Sequence, residues 1–227
     1  LELPHGEPGE IAARAPWVAR VYYNREDDTR LAKIKDGDSF WHRMGDIGRM
    51  DDSGSLWFLG RKNQRVITSQ GTLYTIPSES VFNRHPDVKK SALVGLGDRG
   101  HQQPVMVIEP ENPDRVRSKN DQETFRRELL KLGEEIDWTR DIREILFHPE
   151  FPVDIRHNAK IFREQLAVWA ASQTTPGGPR DAGPSRGREN RPGPPLWPLR
   201  AQSRRNRQGR FGGHSSNTSR DFRNPPG

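Results

Sequence analysis

An α+β fold is predicted for this chain by three features. Two continuous apolar runs lie side by side in the middle of the sequence, at Lys90–Gly97 and Pro104–Glu109. An amphipathic segment follows them, with Phe125, Leu129, Leu132 and Ile136 spaced by four, three and four residues. Short β-prone stretches separated by Gly and Pro precede both. Strands gathered first and then alternating with helices define a small sheet with helices packed on it.

The opening residues 9–23 hold short β-prone runs broken by Pro16, and Phe40 to Phe58 holds two more around the turn Asp51-Asp52-Ser53-Gly54. This reads as material of a small sheet or barrel. Arg65–Thr68 and Thr72–Thr75 flank a turn at Ser69-Gln70-Gly71, the pattern of a hairpin. Pro77 suits the first turn of a helix running towards Asn83. The two apolar runs are then adjacent strands, the amphipathic helix begins near Asp121, and Ile142–Phe147 is a further strand. A polar loop, Val153–Lys160, leads to a last helix over Ile161–Ala171 with Ile161, Leu166 and Trp169 on one side. The predicted organisation is a β-rich piece over 1–60, a compact domain of a three-stranded sheet with a hairpin and helices over 61–171, and a tail over 172–227.

Charge separates the tail from the rest. The whole chain of 227 residues carries +6, is 31% hydrophobic and 30% charged. Residues 172–227 hold eleven Arg, no Lys and three acids, a net of +8, which leaves the first 171 residues at −2. The basic character therefore belongs to the tail and not to a folded surface. With few large apolar groups beyond Leu196, Trp197, Leu199 and Phe211, the tail is expected to be disordered. Without cysteine there is no disulfide framework, thiolate metal site or thiol nucleophile. No apolar run is long enough to span a membrane, and the start lacks a signal pattern. The first residue is Leu and not Met, which reads as a piece of a longer protein.

Three stretches carry more chemistry than a fold requires. In Trp41-His42-Arg43-Met44-Gly45-Asp46-Ile47-Gly48, a fixed carboxylate could accept both hydroxyls of a ribose; on this segment alone, Asp46 reads better as a turn residue capping local amides. In Gly60-Arg61-Lys62-Asn63-Gln64, Arg61 sits at the junction of two structural units and could reach a ribose or phosphate, and the polar residues after it could absorb a rotation; alone, the stretch reads as a solvated basic connector. In Pro152–Ile161, Lys160 offers a compact mobile charge between a carboxylate and a phosphate, or is an ordinary surface lysine at a helix start. His157 is a weaker candidate base in the same loop.

Taken together and in order, these stretches resemble the adenylate-forming superfamily of acyl-CoA synthetases, peptide-synthetase adenylation domains and luciferases, over residues 1–171. Gly9-Glu10-Ile11 with Tyr22-Tyr23-Asn24, Gly45-Asp46, Gly60-Arg61 and Lys160 carry the resemblance. It implies that Asp46 and Arg61 hold the ribose of ATP, that Asn63 marks the hinge, that Gly71 lies near the incoming acceptor, and that Lys160 promotes attack of a carboxylate on the α-phosphate. Trp41–Asp46, Gly71–Pro77 and Phe151–Glu164 look most like the long-chain branch that includes the olefin-biosynthesis β-lactone synthetases and long-chain fatty-acyl-CoA ligases. The implied substrate is a fatty acid or β-hydroxy fatty acid, activated in the cytoplasm with ATP and Mg2+ and, for the thioester branch, CoA. Two positions depart from the family pattern, Asn63 where Asp or Lys is usual and Ala159 where Gly precedes the lysine. The family's Gly- and Ser/Thr-rich phosphate loop does not occur in these 227 residues, so the chain by itself is expected to be inactive. The alternative is a noncatalytic, lid-like binding module whose Arg-rich tail contacts RNA, although sparse aromatic residues around Arg204–Arg210 argue against nucleic acid.

Overall fold

The structure, a computed structural model, describes residues 2–154 and 160–174. The first sheet comprises β1 (Gly9–Ala13), β2 (Lys33–Asp36), β3 (Ser39–Met50) and β4 (Leu56–Arg61), with a short helix α1 (Glu26–Ala32) before β2. The twelve-residue β3 is its spine. Along one edge it pairs antiparallel with β1; along the other it pairs with β2 near its start and β4 near its end. His42 marks the division, lying opposite Ala13 on one side and Lys33 on the other.

The β3–β4 turn closes on Asp51, whose carboxylate accepts from Ser53 N and Ser55 N, both at 2.9 Å, and from Trp57 Nε1 at 2.7 Å. Hydrogen bonds from the Ser53 hydroxyl, Trp57 and the Ser55 amide hold its carboxyl far below the usual carboxylate range. Only the first β-prone run of 9–23 forms a strand. Beyond Ala13 the chain turns, with Val18 N donating to Ala15 O, and leaves Trp17 and Tyr23 exposed. The sequence reading did not foresee α1, whose first turn carries Glu26, Asp27 and Asp28 against the positive end of the helix dipole.

The second group of elements follows the expected order: hairpin strands β5 (Val66–Thr68) and β6 (Gly71–Leu73), helix α2 (Thr75–Phe82), strands β7 (Val88–Leu96) and β8 (Gln103–Pro110), helix α3 (Lys119–Glu134), strand β9 (Glu144–Phe147) and helix α4 (Arg163–Gln173). β7, β8 and β9 form a three-stranded sheet, antiparallel between β7 and β8 and parallel between β8 and β9. The parallel pair needs a crossover, which α3 supplies. Successive residues of a strand point to opposite faces. Leu93, Met106, Ile108 and Ile145 therefore pack with Phe82, Phe125 and Leu129 on one side. Ala92, Val94, Val105 and Val107 pack with Phe151, Leu166 and Ala170 on the other. Burial on both faces is why the two strands read as unbroken apolar runs.

Boundaries moved where local hydrogen bonding outweighed residue preference. α2 starts at Thr75, two residues ahead of Pro77, which still lies in the first turn where no intrahelical N–H bond is lost. Gly71 opens β6, so the hairpin turn is Ser69-Gln70 alone. α3 begins at Lys119, two residues before the expected Asp121, because Ser118 and Asp121 form a reciprocal capping box. α4 runs to Gln173, past the expected end at Ala171. The tail from residue 175 and His157 with its neighbours 155–159 lie outside the described residues.

The end of β4 meets the start of α2 at Gly60. Its φ is +119°, and a Cβ built there would collide with Thr75 Oγ1. A side chain at residue 60 thus meets both backbone strain and overlap, which together cost about 2–4 kcal/mol. Gly60→Ala is expected to lower unfolding stability by that amount in urea titrations, and Thr75→Ala in the same chain to recover the steric part. Unchanged stability of Gly60→Ala would contradict the close approach.

Candidate active site

The antiparallel register of β3 and β4 sets Asp46 directly opposite Arg61. Arg61 Nη1 lies 3.0 Å from Asp46 Oδ1, with the aspartate side chain largely buried and the arginine more than half exposed. The contact is an ion pair without a hydrogen bond, and Oδ1 is buried without a hydrogen-bond donor. The irregularity that follows at Ile47/Gly48 and the positive φ of Gly45 (71°) set the local direction of this carboxylate. The two residues that the family resemblance groups together are one cross-strand pair.

The connector beyond Arg61 is fastened to the first sheet. Lys62 N donates to Gly45 O at 2.9 Å, Gln64 N to Arg61 O at 3.1 Å, and Lys62 Nζ to Glu10 Oε2 at 2.6 Å. Arg43 donates to the same Glu10 oxygen through Nε at 3.0 Å and Nη2 at 2.5 Å. Burial alone would raise the Glu10 carboxyl, but the hydrogen bonds and charges of Arg43 and Lys62 outweigh it and hold the value below the ordinary one. Asn63 stands at the exposed apex of this turn.

Lys160 is placed by the loop before α4. Val153 bridges Ile161, Asp154 N donates to Lys160 O at 3.1 Å, and Phe162 N donates to Pro152 O at 2.9 Å. Three residues later, Arg163 Nη2 donates to Glu79 Oε2 of α2 at 2.8 Å, in a pair whose side chains are 12% and 8% exposed. Glu79 Oε1 accepts from Leu93 N of β7 at 2.9 Å. This pair ties the first turn of α4 to α2 and the sheet.

Lys160, Arg61, Lys62 and Asn63 line one open cleft of about 610 Å3, with Gly45 and Arg99. Asp46 stands beside it through Arg61. Gly71 is exposed on the hairpin and is not among the lining residues. The structure thus brings Lys160 to the Arg61–Asn63 connector and leaves Gly71 apart. Arg99, Glu79, Arg163 and Glu10 were given no individual role from the sequence; Glu10 and Arg163 fall inside the motif stretches, whereas nothing in Gly97-Asp98-Arg99-Gly100 singles out Arg99. Among the described residues no group of three His, Asp or Glu side chains is gathered to hold a metal ion. No helix there is long and apolar enough to cross a membrane.

The cleft lined by Arg61, Lys62, Arg99 and Lys160 thus lies where the β-rich sheet meets the α+β unit. The chain belongs to the adenylate-forming superfamily and matches the C-terminal third of its relatives. It is 46% identical over 176 residues to an olefin β-lactone synthetase of Xanthomonas campestris pv. campestris, covering 75% of this chain and 31% of that protein. An olefin β-lactone synthetase of Stenotrophomonas maltophilia is 44% identical over the same shares. Among solved structures, the O-succinylbenzoate coenzyme A synthetase of Bacillus subtilis in complex with AMP superposes with a TM-score of 0.58 at 25% identity, over 72% of this chain and 31% of that one. The chain thus spans about a third of the length of these relatives. No family model matches it.

Burial pushes the Glu79 carboxyl up to about 7, against the Arg163 charge and the Leu93 amide, both of which favour ionisation. The folded value lies above the ordinary 4.5, so the stability this group contributes is present below about pH 4.5 and lost as pH rises through 7. The stability of wild type relative to Glu79→Gln is therefore expected to fall between about pH 5 and about pH 8, measured by denaturant unfolding at both. A gap that widens with rising pH would contradict this.

Proposed function

We propose that residues 1–60 are the end of a large adenylate-binding domain, that residues 61–171 are its lid, and that together they serve an ATP-dependent, AMP-forming activation of a fatty acid, with a β-hydroxy fatty acid closed to a β-lactone as the favoured reaction. The observation that carries this reading is the single cleft shared by Lys160, Arg61 and Asn63. Similarity to the two olefin β-lactone synthetases supports the lactone branch over the CoA thioester.

In adenylation a substrate carboxylate oxygen bonds the α-phosphorus while the bond to the leaving pyrophosphate breaks, so negative charge shifts along the phosphate chain. The Lys160 ammonium, exposed at the cleft, supplies a compact positive charge to that shift. Asp46 Oδ1, buried without a donor, supplies an acceptor for a ribose diol, and Arg61 beside it adds donors for the same nucleotide. Mg2+ would arrive with ATP, since the described residues offer no cluster for it.

The turn at Asn63 is the pivot. Gly45 and Glu10 hold Lys62 on the first sheet, so rotation just beyond it withdraws Lys160 and presents another lid face, where the exposed Gly71 leaves room for an acceptor. For the lactone that acceptor is the substrate's own β-hydroxyl, and for a thioester it is CoA.

Residues 2–174 grafted in place of the matching C-terminal third of the Xanthomonas relative test this. The chimera is expected to release pyrophosphate from ATP with a long-chain β-hydroxy acid and to yield the β-lactone with or without CoA, read by mass spectrometry. A folded chimera that releases none contradicts the activation, and a thioester formed only with CoA contradicts the lactone branch.

A further inference from the structure

The charge balance of the cleft singles out Arg99. Of the cations that line it, Arg61 faces Asp46 at 3.0 Å and Lys62 is held by Glu10 at 2.6 Å. Arg99 and Lys160 have no carboxylate partner among the described residues, and Glu164, which also lines the cleft, is ion-paired with neither. Two uncompensated cations from different elements therefore share one opening. An opening lined by cations that lack acidic partners attracts an anion.

Arg99 is held there by a built turn. Between β7 and β8 it is flanked by Gly97 and Gly100, with φ of +85° and +101°. The turn is clamped to β5: Gly100 N and Gln102 N both donate to Ile67 O, at 3.0 and 3.1 Å, and Ile67 N donates to Gln102 Oε1 at 2.9 Å. From this support Arg99 Nη2 reaches Lys62 O at 3.5 Å. Among the described residues Lys62 O is the acceptor that Arg99 reaches, and a guanidinium fork matches two phosphate oxygens at once.

We propose that Arg99 and Lys160 form an anion seat for a pyrophosphate group, with Arg99 binding the terminal phosphates of the nucleotide. That the pyrophosphate belongs to ATP rests on the adenylation reading; the seat itself does not. Arg61 and Asp46 address the ribose end, so the cleft divides the nucleotide between two sets of side chains.

Inorganic pyrophosphate titrated into the 15N-labelled 227-residue chain tests the seat, because per-residue amide shifts separate the cleft from the Arg-rich tail. Amides of Gly97–Gln102 and Lys160–Glu164 are expected to shift together with one Kd. Arg99→Ala is expected to weaken that Kd about tenfold, the loss of one bidentate charge-assisted contact, with Arg99→Lys recovering only part. AMP, which lacks the terminal phosphates, is expected to lose no affinity in Arg99→Ala. Shifts confined to Arg204–Arg210, or an unchanged Kd in a folded Arg99→Ala, would overturn the proposal. The titration uses neither ATP nor acid, so an inactive chimera with intact pyrophosphate binding sinks the adenylation reading alone, and an active chimera without such binding sinks only the seat.

Discussion

The buried ion pair between Glu79 and Arg163 is the contact on which the placement of the site depends. Its partners stand 84 residues apart, on α2 and at the first residue of α4, and both are close to fully buried. Removing one partner of such a pair strands a charge and typically costs about 3–5 kcal/mol. The same glutamate takes the Leu93 amide, so helix, helix and sheet meet at one carboxylate. α4 has no side-chain cap of its own. Its start is fixed by this pair and by Leu166 and Ala170 on the sheet, and the loop carrying Lys160 leaves from that fixed point.

A second anchor acts from the opposite direction. Glu10 gathers Arg43 and Lys62, and Gly45 O takes the Lys62 amide, so the connector is bound to the first sheet up to the residue before Asn63. Tight attachment on one side and an exposed, polar turn on the other confine any rotation to a short stretch. The close approach at Gly60 adds a steric reason for the path, because the connector leaves β4 where α2 begins.

Much of the fold was legible because burial leaves periodic traces. The unbroken apolar residues of β7 and β8 reported a sheet covered on both faces, and the spacing of Phe125 and Leu129 reported the covered side of α3. α1 left no such trace, since none of its residues is buried. Of the site, the grouping of Asp46 with Arg61 was legible through the family resemblance, and their direct contact was not. Asp46 and Arg61 become partners only through the register of β3 and β4, which a turn fixed by Asp51 sets. Arg99 enters the cleft only because Gln102 and Ile67 fold its turn onto β5, a hydrogen-bonding arrangement with no hydrophobic signature.

In the proposed reaction Lys160, whose loop is anchored through Glu79 and Arg163, acts on the first chemical step and not on the second. Single-turnover kinetics of Lys160→Ala in the grafted enzyme separate the two steps, starting either from ATP and β-hydroxy acid or from preformed acyl-adenylate. No acyl-adenylate is expected to form from the first pair, while preformed acyl-adenylate is consumed at the wild-type rate. Adenylation at the wild-type rate, or equal loss of both steps, would contradict that role.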